Sequence, residues 1–400
     1  MKYVDLKSYI TYVSRGITPK YVNSEGILVI NQRCIRNGQI DFSYARLTSK
    51  QKSYTEAKFL EPGDILINST GTGTLGRIAL FKGNDQKVLA DSHVSIVRIS
   101  QEYDTRFVAH YLYSKEAYIA TLGKGATNQQ ELSKEAIYSI PVPKITVDKQ
   151  SKIAEILSAY DDLIENNQKQ IKLLEEAAMR LYKEWFVNLR FPGYENSKIV
   201  DGVPEGWEKC NLGLYAKVKS GYAFKSSWWK HNGVPVIKIK DIQDNTVNLS
   251  QLDCVDISNA NKAIDFKVVA GDLLIAMTGA TTGKIAIVPI ADDMLVNQRV
   301  GKFFLGENPI AKLPFLYSTL QEANSHNWAL NFANGSAQPN ISPTQIESLE
   351  ILFSERFVSL YNEKMQPYFE SIIKLRRLIN RAQQARDKLL PKLMSGEIEV

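Results

Sequence analysis

The sequence predicts an α+β fold: two similar globular domains, each followed by a long helix, with the helices paired inside the chain. Three observations predict it. From about Ser151 to Phe186, residues recur in alternating steps of four and three: Ile153, Leu157, Tyr160, Ile164, Asn167, Ile171, Leu174, Ala178, Leu181, Trp185. That is an a/d seam, the pattern of a helix packed lengthwise on another helix. A second seam runs Val358, Tyr361, Met365, Tyr368, Ile372, Leu375, Ile379, Ala382, Arg386, Leu389, Leu393. The seams are in register, because the same offset of 208 positions relates Tyr160 to Tyr368, Ile164 to Ile372 and Ile171 to Ile379. A partner for each helix is therefore already in the chain. The expected helix-pair interface is Leu157, Tyr160, Ile164, Ile171 and Leu174 against Tyr368, Ile372, Leu375 and Ile379. At ~1.5 Å per residue either helix is a rod of roughly 50 Å.

The offset extends beyond the helices. Gly63-Asp64 matches Gly271-Asp272, Thr70-Gly71 matches Thr278-Gly279, and Gly76-Arg77-Ile78-Ala79 matches Gly283-Lys284-Ile285-Ala286 one residue out of step. A unit this long is a domain duplication, since solenoid repeats are ~20–50 residues. The division that follows is 1–145, 146–190, 195–354 and 355–400: domain, helix, domain, helix.

Within copy one, Gly26–Ile30 reads as a buried strand, Phe59–Leu80 as strand, Gly/Thr turn and strand, and Val94–Ile99 as a further strand. Lys2–Ser14 is short and mixed. Arg106–Thr121 has helical spacing and reads as one helix. A short β-like apolar stretch, Ile140–Val142 (Leu349–Phe353 in copy two), leads to the rod; Pro141 and Pro143 break the chain before it, with Thr146 or Asp148 as its cap. Phe191-Pro192-Gly193 ends it. Copy two has strands at 234–240, 272–277, 284–288 and 301–305 and a helix near 314–324. Pro367 interrupts the second seam, so the last helix is expected to kink or to start there.

The chain has 400 residues, 44% of them apolar and 23% charged, with net charge +6. That is ordinary for a folded chain of two or three domains. The mild basicity permits a nucleic-acid partner without requiring one. No apolar run reaches the ~18 residues of a membrane span, and MKYVDLKSYI is no signal peptide. Cys34, Cys210 and Cys254 are scattered, no CxxC occurs, and the four histidines lie apart. The simplest reading is a cytoplasmic protein without disulfides or a metal site.

Three stretches carry candidate chemistry. Gly71-Thr72-Gly73-Thr74-Leu75-Gly76 is literally a GxGxxG, but the strand-like Arg77–Phe81 follows where a dinucleotide site needs a helix. Two readings remain. One is a tight turn that needs glycine dihedrals. In the other, Thr72, Thr74 and Arg77, with Thr281, Thr282 and Lys284 in copy two, face a phosphate. The second stretch is rich in amides and hydroxyls: Lys124, Asn128 and Gln129, then Asn334, Ser336 and Gln338. Asn and Gln bond bidentately to adenine, and they are also ordinary loop residues. The third is basic with interleaved aromatics: Arg15 and Lys20 beside Tyr21, then Lys219, Tyr222 and Lys225 beside Trp228 and Trp229. Cations reach phosphates and aromatics stack on bases, while core packing explains some of the rings. Asn167, the polar residue in the first seam, fits a buried register-setter or an exposed end equally. The basic last helix is a solvated face or a surface for DNA or an acidic partner.

No nucleophile elbow, phosphate loop ending in GK[ST] or HExxH is present. Nor is the Asn/Asp-Pro-Pro-aromatic motif of base-methylating enzymes.

Together these residues resemble the specificity subunit of type I restriction–modification systems. The resemblance spans essentially the whole chain. It rests on the Gly-Asp-(Ile/Leu)-Leu-Ile…Thr-Gly…Gly-(Arg/Lys)-Ile-Ala stretch in both copies, on Val203-Pro-Glu-Gly-Trp207, and on Lys388-Leu-Leu-Pro-Lys-Leu-Met-Ser-Gly-Glu397. It implies two target-recognition domains separated by a pair of long antiparallel coiled-coil helices in a pseudo-two-fold internal repeat. Each domain would read one half of a bipartite, asymmetric site in double-stranded DNA. The helices would set the spacer and dock two methyltransferase subunits, and restriction/translocase subunits would complete the assembly. The chain would be non-catalytic, with S-adenosylmethionine, ATP and Mg held only by partner subunits. The rival reading is a coiled-coil scaffold presenting two ligand-binding domains to a protein or glycan partner. A self-contained methyltransferase is a third, and the missing motif argues against it.

Overall fold

The computed structural model describes residues 2–71, 73–125, 130–243, 245–290, 293–332 and 339–400. The chain divides into two compact units, residues 1–162 with 385–400, and residues 163–384. Both boundaries fall inside long helices. The central helix, Val147–Tyr182, starts in the first unit and ends in the second, and the C-terminal helix, Glu355–Ser395, does the reverse.

In the first unit the main sheet runs Ile10–Arg15, Val94–Ile99, Ile65–Asn68, Ile78–Leu80, antiparallel throughout. Successive side chains of a strand point to opposite faces, and here both faces are covered. Ile65 and Ile67 join the core under Phe107, Tyr111, Leu112 and the ends of the two long helices. Leu66 joins Ile30, Ala90 and Ile96 in a second core, which explains why the whole strand is buried. A small sheet orders Val88–Ala90, Gly26–Ile30, Arg46–Ser49, Tyr21–Val22. Its first pair is parallel.

The second unit repeats this plan. Its main sheet begins Lys217–Ser220, Val300–Phe304, Leu273–Ala276, Ile285–Ile287 and adds two short strands at 246–247 and 242–243. Leu273 and Ile275 face one core, Leu274 and Ala276 another. A small sheet orders Asp253–Val255, Val234–Ile237, Leu295–Val296, again with a parallel pair. A carboxylate one residue before each inner strand meets a cation from the next: Asp64 with Arg98 at 2.8 Å, Asp272 with Lys302 at 2.6 Å. Burial pushes both carboxyl groups above their ordinary range, against the pull of those cations. Gly16 and Gly221 also correspond. A Cβ on Gly16 would strike the carbonyls of Ala90 and Asp91, and one on Gly221 those of Val296 and Asn297.

The structure departs from expectation at three places. Lys2–Ser14 holds two strands, Tyr3–Asp5 and Ile10–Arg15. The first pairs antiparallel with Pro141–Pro143, the strand expected from the β-like stretch at 140–142. The pair forms a two-stranded sheet of its own, which suits residues that lack an N–H. The helix expected over 106–121 is two, Thr105–Ser114 and Glu116–Thr121, broken at Lys115 where ψ turns to 9°. The C-terminal helix begins at Glu355 and runs through Pro367 instead of starting there.

Within each unit the long helices touch. In the second, the Tyr361 hydroxyl donates to the Ala178 carbonyl at 2.9 Å and Arg376 pairs with Glu175 at 2.7 Å. Lower numbers on one helix meet higher numbers on the other, so the pair is antiparallel. In the first unit Arg386 pairs with Asp161 at 2.7 Å, and Leu390, Leu393 and Met394 share a core with Ile153 and Leu157. Of the seam residues, Leu157, Ile164, Ile171 and Ile372 are buried, and Tyr160, Leu174, Tyr368, Leu375 and Ile379 are half-buried. Phe369 and Ile373, outside the seam, are buried too. The helix therefore buries a stripe wider than a/d, because it packs on its own domain as well as on its partner helix.

Asn167 is buried, and its Nδ2 finds no hydrogen-bond partner among the described residues. An unsatisfied buried group costs about 1–3 kcal/mol.

Candidate nucleic-acid interface

The Gly/Thr loop is built first of all as a turn. Gly71, Gly73 and Gly76 have φ of 106°, 75° and 82°, and Gly279 and Gly283 have 78° and 82°. A side chain at Gly76 would meet the backbone of Ala120, and one at Gly283 that of Ser325. The loop spends its own polar groups. The Thr74 hydroxyl donates to the carbonyl of Gly71 at 3.3 Å, and Arg77 donates to Gly73 O at 3.0 Å. Thr282 is fully buried and donates to Gly279 O at 2.7 Å, while Thr281 reaches Ile239 O at 3.5 Å. Lys284 is exposed and Arg77 half-exposed. Strands 78–80 and 285–287 follow the turns, so the GxGxxG lacks the helix N-terminus a dinucleotide needs. Thr72 lies outside the described residues.

Arg15 is structural. It donates to Ser92 O at 3.0 Å and to Leu132 O at 2.9 Å, and pairs with Glu131 at 2.6 Å. Burial pulls its pKa down against that carboxylate. Lys20 and Lys124 are exposed. Lys124 exchanges backbone hydrogen bonds with Glu131, which also bridges to Thr70. Asn128 and Gln129 lie in the interval that this bridge flanks. The matching bridge between Thr278 and Asn340 follows the interval of Asn334, Ser336 and Gln338. All five of these amide and hydroxyl residues are outside the described residues.

In the second unit the aromatics make a small core of their own. Tyr222 packs on Phe224, Trp228 and Phe266. Lysines cover the ring faces: Lys219 over Phe266 at 4.8 Å, Lys225 and Lys262 over Trp228 at 5.7 and 4.7 Å, and Lys238 over Trp229 at 3.2 Å. Packing accounts for the rings, and Phe224 is buried. What remains outside is a set of ammonium groups; Lys219, Lys225 and Lys262 are exposed and Lys238 is half-buried.

A second basic surface, in the first unit, escaped the sequence reading. Arg33 and Arg36 lie over the Tyr44 ring at 5.0 and 4.6 Å, and Arg46 over Tyr21 at 3.6 Å. All three arginines are exposed and both tyrosines half-buried. Tyr44 precedes Arg46 by two residues, and Tyr21 pairs across the small sheet with Thr48, two residues beyond it. Among residues 15–58 there are eight Lys and Arg against three Asp and Glu. That excess was readable; the stacking was not.

Among the described residues no three His, Cys, Asp or Glu come together as a metal site, and no helix is long and apolar enough to cross a membrane. The site is thus a pair of exposed cationic faces, one per unit, beside the small sheets.

Residues 7–176 and 204–353 match the family model described as the type I restriction modification DNA specificity domain. The chain is 25% identical to the type I restriction enzyme MjaIX specificity subunit of Methanocaldococcus jannaschii over 73% of this chain and 70% of that one. It is 25% identical to the MjaVIII specificity subunit of the same organism over 92% and 84%. The crystal structure of the type I restriction-modification S subunit from M. genitalium shares the fold, with TM-score 0.57, 15% identity and coverage of 98% and 95%. With the family model matching both copies across most of its length, the chain belongs to the type I restriction-modification specificity subunits.

Proposed function

We propose that this chain is the DNA-reading subunit of a type I restriction–modification complex, and that each unit reads one half of a bipartite, asymmetric site. The observation that carries the reading is the duplication itself. The same buried sheet order occurs twice, and each copy presents a different cationic surface. Two unrelated half-sites require that combination. Phosphates would be met by the exposed Lys20, Lys124, Lys225 and Lys284 together with Lys219. Bases would be read by neighbouring loops, among them those that carry Asn128, Gln129, Asn334, Ser336 and Gln338.

The helices connect the two readers. A 36-residue central helix at ~1.5 Å per residue is about 54 Å long, or about one and a half turns of B-DNA at ~34–36 Å per turn. In this reading the helix pair sets the unread gap and docks two methyltransferase subunits. These would supply S-adenosylmethionine chemistry, and restriction/translocase subunits would bring ATP and Mg. The chain itself contributes recognition, in the cytoplasm, without catalysis.

The test is to map methylated adenines in a host that expresses the complete complex, then repeat with seven residues inserted in the central helix and seven in its partner. A split motif whose halves stay constant while the gap lengthens is the expected result. A continuous motif, or a gap that does not respond, overturns the reading. Binding by the complex should also fall steeply with salt, as phosphate contacts require; a scaffold for a protein or glycan would show no DNA binding.

A further inference from the structure

Arginine is distributed unevenly between the copies. Residues 1–145 hold seven: Arg15, Arg33, Arg36, Arg46, Arg77, Arg98 and Arg106. Residues 195–354 hold Arg299 alone. In the first unit Arg15, Arg98 and Arg106 are each tied to a carboxylate within 2.9 Å, and Arg77 to a backbone carbonyl. Arg33, Arg36 and Arg46 form no ion pair among the described residues; each is exposed with its guanidinium over a tyrosine ring, and Arg36 Nε donates to the Arg33 carbonyl at 3.2 Å.

Stacking has a geometric consequence. A guanidinium held over a ring face loses rotational freedom while its terminal nitrogens still present paired N–H donors. A phosphate also accepts such a fork bidentately, but exposed Lys20 and Lys50 flank the same surface and meet phosphates as point charges, which leaves the forks for base edges. A planar fork held on a sheet suits a planar pair of acceptors. In a DNA groove that pair is O6 and N7 of guanine. The surface of the second unit is capped by lysines instead, and offers no comparable set of forks.

We propose that Arg33, Arg36 and Arg46 are specificity-determining residues that read guanine in the half-site taken by the first unit. The proposal rests on the DNA-reading function proposed above and adds the base class that one copy recognises. Tyr44 and Tyr21 are its positioning residues: they hold the guanidinium planes.

The experiment uses the full chain with its methyltransferase partners and a duplex carrying the mapped site. Each guanine of each half-site is replaced in turn by 7-deazaguanine, which removes the N7 acceptor and keeps base pairing. Wild-type complex should lose roughly tenfold or more in affinity at one or more guanines of the first half-site, the scale of a bidentate contact, and little in the second. Arg33→Lys, Arg36→Lys and Arg46→Lys keep the charge and remove the fork. At least one should bind normal and deaza duplexes equally, with an unchanged salt slope. These side chains are exposed, so the variants keep the fold, which circular dichroism checks. A first half-site without guanine, deaza duplexes that bind like the parent, or lysine variants that retain full discrimination overturn the proposal while site-specific binding persists. Loss of site-specific binding by the wild-type complex would instead overturn the DNA-reading function itself.

Discussion

In the first unit Asp64 sits at the foot of an inner strand and takes a hydrogen bond from Arg98; at the same place in the second, Asp272 takes one from Lys302. Gly16 and Gly221 lie against backbone carbonyls at matching points, and Gly76 and Gly283 share a φ of 82°. Outside these frames the likeness stops. One unit shows arginines over tyrosines, the other lysines over tryptophans. The lesson is a division of labour along the chain. Buried carboxylates and close-packed glycines hold the shared architecture, and exposed cations are free to diverge, as the proposed reading of two different half-sites requires.

The helix pair shows the same contrast in its polar contacts. In the second unit Glu175 accepts from Arg376 and from the Tyr317 hydroxyl, and Arg376, buried, has no other carboxylate among the described residues. In the first, Arg386 has both Asp161 and Asp387. Breaking a buried pair strands a charge, at a cost of about 3–5 kcal/mol. Glu175→Ala should therefore destabilise its unit by about 3–5 kcal/mol, and Asp161→Ala its own by about 2 kcal/mol, since Asp387 remains. All five tryptophans lie in residues 163–384. Tryptophan fluorescence in urea should shift its midpoint strongly for Glu175→Ala and hardly for Asp161→Ala. Equal shifts would dissolve the contrast.

Gly16→Ala and Gly221→Ala sharpen the shared half of the comparison. Each drives a methyl into a carbonyl, so each should cost about 2 kcal/mol, and the two costs should agree within ~1 kcal/mol if the frames are equivalent. Circular dichroism melts read this directly. Asn167→Leu should act in the opposite direction. It removes a buried amide with an unsatisfied Nδ2 and stabilises by about 1 kcal/mol; a loss of stability would mean that the amide sets register.

The smallest effect concerns pH. Burial pushes the pKa of His110 below its ordinary 6.5, with Asp161 pulling it up and Arg386 pushing it down. The folded chain thus keeps His110 neutral, and its 3.7 Å contact with Asp161 is no ion pair at neutral pH. The unfolded chain takes the proton first. The stability this group contributes is present above pH 6.5 and is lost as pH falls through its folded pKa. The difference in melting temperature between wild type and His110→Asn should shrink between pH 7.5 and pH 5.5. A constant difference would remove His110 as the cause.

How much of this was legible depended on the range of the interaction. The seams were legible because helical packing writes a period of seven into neighbouring residues. Arg386 stood out as a breach in that pattern, but Asp161, which explains it, is 225 positions away. The break at Lys115 leaves no local signal, because the apolar spacing continues across it. The β-like stretch at 140–142 was legible in spite of Pro141 and Pro143, because a strand needs only one edge of N–H groups and these residues occupy a two-stranded pair. Of the candidate contacts, Thr282 and Arg15 turned inward because nearby carbonyls and Glu131 satisfy them, which spacing alone does not disclose. Arg46 and Tyr21 are neighbours only once the small sheet has formed.

The most direct test of the central claim, one reader per unit, is a chimera. Residues 1–145 are replaced by the equivalent part of a relative with a different target, and methylated adenines are mapped in cells that carry the complete complex. The account predicts a site with one half replaced and the other half and the gap unchanged. A site altered in both halves, or in neither, would contradict it.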